Sequence, residues 1–181
     1  SELGKGLGEL NNQALFGAWG SNGGEIYTRF GDAPIEGNRL QIKTQGTQMN
    51  SKMLFDAKKW YHIAFVCTGT KLYLYVNGVL DNSMSLPGNA TNIASPINFG
   101  NTDYLVADVK VSELRFWTKA RTQAQVLNNM YACDPKSDGL EAYWKLNEGQ
   151  GDTFADATGH GNTGKCVAVP DWEQNVRIDG K

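Results

Sequence analysis

The chain has 181 residues, enough for one domain with a sizeable core and short for two. Lys and Arg total 17 against 19 Asp and Glu, a formal charge of −2, which argues against a nucleic-acid clamp or a polybasic membrane binder. Glycine supplies 21 of the 181 residues, about 12% against a usual ~7%. With plentiful asparagine, that surplus points to tight turns between many short strands rather than to helices.

In chain order, residues 1–13 read as a linker or irregular segment rich in glycine. Their start, Ser-Glu-Leu-Gly-Lys, has no apolar signal core, so either a targeting segment has been removed or the chain is an excised piece. Glu25–Phe30 alternates with period two between Gly23-Gly24 and Gly31-Asp32, which predicts a strand. Arg39–Lys43 alternates again and pairs with it. Trp60–Val66 and Lys71–Val76 form a hairpin across Thr68-Gly69-Thr70 and suit central strands of a sandwich. Asn77-Gly78 then signals a type I′ turn, which needs positive φ at both central residues. Ile97–Gly100, Val109–Trp117, Leu140–Leu146 and Gly164–Val169 supply further strands.

One helix is predicted over 122–131. Thr122 and Gln125 fit a capping box, Val126, Leu127, Met130 and Tyr131 form an apolar stripe, and Pro135 stops continuation. About ten strands and one short helix make an all-β, two-sheet antiparallel sandwich of jelly-roll type, taken as a single domain over 1–181. No apolar run reaches the ~18 residues of a membrane span. Cys67, Cys133 and Cys166 and the two histidines are too scattered for a zinc motif; Cys133 and Cys166 remain open as a pair.

Several segments carry a family resemblance: Trp60–Phe65, Lys71–Gly78, Val111–Arg121, then Gly139–Gly149 with Asp156–Asn162. In this order and spacing, the chain resembles the laminin-G-like jelly rolls of the concanavalin A-like lectin and glucanase superfamily. The Tyr143-Trp-Lys-Leu146 segment opens many such domains, whereas here it comes last. That arrangement is similar to bacterial surface lipoproteins whose C-terminal domain is a laminin-G-like jelly roll. The resemblance implies an exported location (cell surface, secreted or periplasmic) and a partner that is a glycan or a cell-surface protein.

Because the superfamily includes glucanases, paired carboxylates are the catalytic signature such a chain would carry. A retaining glycosidase needs two carboxyl groups ~5–5.5 Å apart, which same-face positions on one strand supply. The closest run, Asp108–Glu113, separates its acids by five positions and so puts them on opposite faces; Glu141 and Glu148 fall across a turn. No catalytic residue is assigned. Gly159–Gly164 matches the letters of a dinucleotide fingerprint but lacks the following helix, so it reads as a Gly-rich turn, with Asp156 bonding its own turn backbone.

What remains is glycan binding, which uses aromatic faces with amide and carboxylate neighbours. Tyr104 after Asn101-Thr102-Asp103, Trp19, and Arg29 with Asp32 fit that description. Trp60, Trp117 and Trp144 lie in strand patterns and read as core. The resemblance also implies possible Ca²⁺ on loop oxygens, with Asp32, Asp103 and Asp156 as candidates alongside Asn101. The leading expectation is a non-catalytic carbohydrate-binding or adhesion module. The alternatives are a structural or protein-interaction domain that braces a neighbour, and a divergent glycoside hydrolase.

Overall fold

The computed structural model describes residues 13–18, 26–30, 38–89, 96–99, 105–106, 108–166 and 170–173. The chain divides into two compact units, residues 1–108 and 109–181. The first holds β1 (Gln13–Ala18), β2 (Ile26–Phe30), β3 (Leu40–Thr44), β4 (Thr47–Asn50), β5 (Ile63–Thr68), β6 (Lys71–Val76), β7 (Val79–Ser85), β8 (Ile97–Phe99) and β9 (Leu105–Val106). The second holds β10 (Leu114–Trp117), α1 (Gln123–Asn128), β11 (Leu140–Trp144), β12 (Thr153–Phe154) and β13 (Gly164–Lys165). This is the antiparallel jelly-roll architecture expected, with β9 alone running parallel to its neighbour among the described pairs.

In the first unit a six-stranded sheet runs β4-β3-β2-β1-β8, with β9 also on β1, and a three-stranded sheet runs β5-β6-β7. Alternation sends Phe30, Leu40, Ile42 and Met49 from one sheet against Leu72, Leu74 and Val76 from the other, closing a core with Phe55 and Leu86. Thr28, fully buried on the same inner face, satisfies its hydroxyl on the Phe16 backbone at 3.3 Å. Truncating a core member such as Leu74 removes about 2–5 kcal/mol.

Turn chemistry sets the hairpins. Asn77 and Gly78 sit at φ 50° and 75°, as the type I′ expectation requires. Gln45-Gly46 makes a second positive-φ pair, at 48° and 72°, between β3 and β4. The sheet edges β4 and β7 are sealed by side chains. The β6–β7 ladder pairs Tyr75 with Leu80 and Leu74 with Asn82, leaving Asp81 as a bulge residue. Its carboxylate accepts from the Lys52 and Met53 amides at 2.7 and 2.8 Å, while Asn82 Nδ2 donates to Asn50 O at 2.8 Å.

Several strands are shorter than the alternation predicts. The strand expected from Trp60 starts at Ile63, because the His62 amide is taken by the Asn77 side chain at 2.9 Å. Trp60, expected in the core, is therefore 41% exposed. The Val109–Trp117 strand begins only at Leu114, after Glu113 at φ 59°, and the Leu140 strand ends at Trp144, before Leu146 at φ 57°. Gln13, counted with the irregular start, opens β1. The helix is correctly capped by Thr122 and Gln125 but spans Gln123–Asn128, not 122–131. Asn129 leaves helical geometry at its C-cap, so Val126 is buried while Leu127 and Tyr131 are 47% and 48% exposed.

Candidate functional site

Pairing register decides which side chains share the outer face of the six-stranded sheet. Tyr27 lies opposite Lys43, which lies opposite Gln48; Gly17 and Asn98 continue that row across β1 and β8. The next row runs Ala14, Arg29, Gln41 and Asn50. Their neighbours Phe30, Leu40, Ile42 and Met49 point into the core, so the alternation itself drives this polar set outward.

The second row is a hydrogen-bonded relay. Arg29 Nε donates to Gln41 Oε1 at 2.8 Å, and Gln41 Nε2 donates to Asn50 Oδ1 at 3.0 Å. Gln41 is only 2% exposed, so its amide is fixed at both ends and holds the Arg29 side chain in one arrangement. In the first row, the Arg29 guanidinium lies 5.6 Å from the Tyr27 ring centroid and the Lys43 ammonium 5.7 Å. Gly17 faces Tyr27 because a Cβ there would stand 2.8 Å from Tyr27 Cβ. Tyr27 and Lys43 are half-buried and Gln48 is exposed. The face thus combines one aromatic platform, two cations and several amides.

Of the sequence-based glycan set, Arg29 belongs to this face. Trp19, Asp32, Asn101, Asp103 and Tyr104 lie outside the described residues. Tyr27, Lys43, Gln48 and Asn50 were missed, although the outward phase of the two alternating strands carries them.

The second unit uses its polar groups internally. Asp156 Oδ1 accepts from the Tyr143 amide at 3.1 Å, the Thr158 amide at 3.0 Å and the Thr158 hydroxyl at 2.7 Å; Oδ2 accepts from the Asn162 amide at 3.1 Å. Burial pushes its carboxyl up, but the bonds from Thr158, Tyr143 and Asn162 outweigh that and hold it at about 2. This is the turn-bonding role expected of Asp156. Those oxygens face N–H and O–H donors, so they do not fit a calcium ion, which wants six to eight oxygen ligands. The other candidates, Asp32 and Asp103, lie outside the described residues. Among the described residues, no group of three or more His, Cys, Asp or Glu is arranged to hold a metal.

Glu113, one of the acids considered for catalysis, accepts from the Arg115 guanidinium and the Tyr143 hydroxyl. Arg115 also donates to Asn129 O and lies 4.9 Å from the Tyr143 ring. Burial and the Glu113 bond push the Tyr143 hydroxyl up. Glu148 spends Oε1 on the Ala155 amide at 3.0 Å. Trp144 donates to Asn162 O at 2.6 Å, and Trp172 to Gly151 O at 3.0 Å. His160 Nδ1 sits 3.0 Å from Glu141 O at the exposed turn. Cys67, Cys133 and Cys166 are free thiols, each pushed up by burial, so Cys133 and Cys166 are not bridged.

With the sandwich and its faces defined, comparison with known proteins is decisive for family. A laminin-G-type model described as the concanavalin A-like lectin/glucanases superfamily matches residues 8–127, more than half of the chain. This chain belongs to that superfamily. The match includes every strand of the polar face and ends within α1 of this superfamily member. Among solved structures it is similar to a "putative carbohydrate binding protein" from Bacteroides ovatus ATCC 8483. That similarity has a TM-score of 0.77 and 25% identity over 95% of this chain and 52% of the other. The chain therefore spans about half the length of that protein. No curated protein matches the sequence. Among the described residues, no helix is long and apolar enough to cross a membrane.

Proposed function

We propose that this superfamily member is a non-catalytic carbohydrate-binding module and that the outer face of the six-stranded sheet binds the glycan. The observation that carries this reading is the Tyr27 row. It sets an aromatic ring directly beside Lys43 and the relay-held Arg29, with Gln48 next along the row, on strands rather than on loops. A sugar presents C–H surface to such a ring and hydroxyls to such amides. Likeness to a protein described as carbohydrate binding supports the same reading.

Non-catalysis is supported by the engagement of Glu113 with Arg115 and Tyr143, which leaves that carboxylate in a fixed ion pair. The proposal takes residues 1–181 as one jelly-roll domain of an exported surface, secreted or periplasmic protein. It keeps Trp19, Asp32, Asn101, Asp103 and Tyr104 as additional contacts. A second reading, a domain that docks a protein neighbour, is favoured by the exposed Met53, Leu54, Trp60, Val79 and Leu80.

Affinity electrophoresis against a panel of soluble polysaccharides separates the readings. Wild type is expected to be retarded by at least one polymer. Tyr27→Ala is expected to bind about tenfold to a hundredfold more weakly, as loss of an anchoring aromatic does, with unchanged circular dichroism. Tyr104→Ala tests the additional contacts in the same gel. No retardation by any polymer overturns the proposal, and hydrolysis lost on substitution of one Glu would replace it with a glycosidase.

A further inference from the structure

The relay across β2, β3 and β4 has a direction, and the chemistry of its first member fixes it. The Arg29 Nε–H can only donate, so the Gln41 amide turns its oxygen towards it, at 2.8 Å. The Gln41 nitrogen then faces Asn50, which can meet that donor only with Oδ1, at 3.0 Å. Turning either amide over sets donor against donor, and Gln41, 2% exposed, has little water to relieve the mismatch. Asn50 therefore ends the row with Nδ2, a donor that makes no hydrogen bond among the described residues. Its backbone is held as well: Asn82 Nδ2 donates to Asn50 O at 2.8 Å, and the preceding Met49 is buried in the core. Asn50 is half-buried and stands two positions from Gln48 on the same face of β4, about 7 Å along the strand.

Resting on the glycan-binding reading above, we propose that Asn50 is a specificity-determining donor. Its Nδ2 meets an acceptor oxygen of the sugar seated at Tyr27, and Gln41 is the positioning residue that prevents it from offering an acceptor instead. An isolated surface asparagine suits either kind of partner, because its amide turns over freely. At Asn50 that rotation breaks the bond to a buried amide, so the polarity is set before the ligand arrives. A carbonyl, ring or glycosidic oxygen satisfies such a donor, as does a hydroxyl whose own proton points elsewhere. A group that only donates does not.

Asn50→Asp and Asn50→Ala separate this role from a structural one, because the two roles rank them in opposite orders. The aspartate keeps an oxygen for Gln41 Nε2 but turns its second oxygen outward; the alanine removes the donor and also orphans the Gln41 amide. The whole chain is run in affinity gels containing laminarin, xyloglucan, galactomannan or glycol chitin, and is unfolded in urea. On the polymer that retards wild type most, Asn50→Asp is expected to weaken binding about tenfold or more. Asn50→Ala is expected to weaken it less, since an acceptor facing an acceptor is worse than none. In urea the order reverses, with Asn50→Asp near the wild-type midpoint and Asn50→Ala clearly below it. Gln41→Glu still accepts from Arg29 but turns the Asn50 amide over, so it too is expected to weaken binding about tenfold. Asn50→Asp binding as tightly as Asn50→Ala or better, or Gln41→Glu binding like wild type, overturns the donor assignment and leaves carbohydrate binding standing. Failure of every polysaccharide, in this set and in the wider panel, overturns both.

Discussion

The two units dispose of polar side chains in opposite ways. In the second unit, Asp156 is surrounded by four donors and Glu113 is shared by Arg115 and Tyr143, so the charged groups are spent on the fold. On the outer sheet face of the first, the Arg29–Gln41–Asn50 relay orders a polar row beside the Tyr27 ring and Lys43. Hydrogen-bond saturation marks scaffold, whereas a pre-ordered polar row beside an aromatic ring on an outer face marks a surface built for something outside the chain.

The comparison breaks most readily at Arg115. Its side chain is 6% exposed and that of Glu113 16%, so Arg115→Ala leaves a nearly buried carboxylate without its cation. Unfolding in urea is expected to show a loss of about 3–5 kcal/mol, with glycan affinity per folded molecule unchanged. A loss of affinity at full stability would assign function to the second unit instead.

Asp156 should respond more modestly. Asp156→Ala orphans three backbone amides at a partly exposed turn and is expected to cost about 1–2 kcal/mol. Hydrogen exchange at Tyr143, Thr158 and Asn162 reads it directly. The acid dependence has a definite sign. The folded carboxyl is depressed from 3.8 to about 2, so its contribution is fully present above about 3.8 and is lost as pH falls through about 2. Asp156→Asn should flatten stability across that window; an unchanged acid limb would show that another group controls it.

Lys43→Gln gives the smallest structural effect and so sharpens the contrast. With no ion pair to lose among the described residues, its stability change is expected within about 0.5 kcal/mol, although its effect on glycan binding is expected to be about tenfold. Comparable losses in both measurements would make Lys43 scaffold like Arg115.

Much of this architecture was legible where one residue type has one local use. Asn77-Gly78 specified its turn, the Lys71–Val76 alternation its strand, Thr122 with Gln125 the helix start, and Asp156 its own turn. Elements failed where the deciding partner is distant or the chain is terse. The β1 strand sets Leu15 and Phe16 side by side between alanine and glycine, with no period-two alternation to read, and β4 follows a Gln45-Gly46 turn whose glutamine is not a usual left-handed residue. Positive φ at Glu113 and Leu146 ended two strands that hydrophobicity alone would extend. The candidate site was half visible. The pairing of the Glu25–Phe30 and Arg39–Lys43 segments was foreseen, but only register sets Tyr27 against Lys43 and Arg29 against Gln41. The same limit explains Trp60, whose exposure depends on an Asn77 side chain that caps the His62 amide from 15 residues along the chain and ends the ladder.

The most direct test of the central claim is amide and side-chain chemical-shift mapping of the whole chain titrated with an oligosaccharide of the best-retained polysaccharide. The account predicts saturable shifts concentrated at Tyr27, Arg29, Lys43 and Gln48, with the Asp156 turn and the Glu113–Arg115–Tyr143 cluster unmoved. Saturable shifts confined to the second unit or to the Trp60–Leu80 surface, with the Tyr27 row silent, would contradict it.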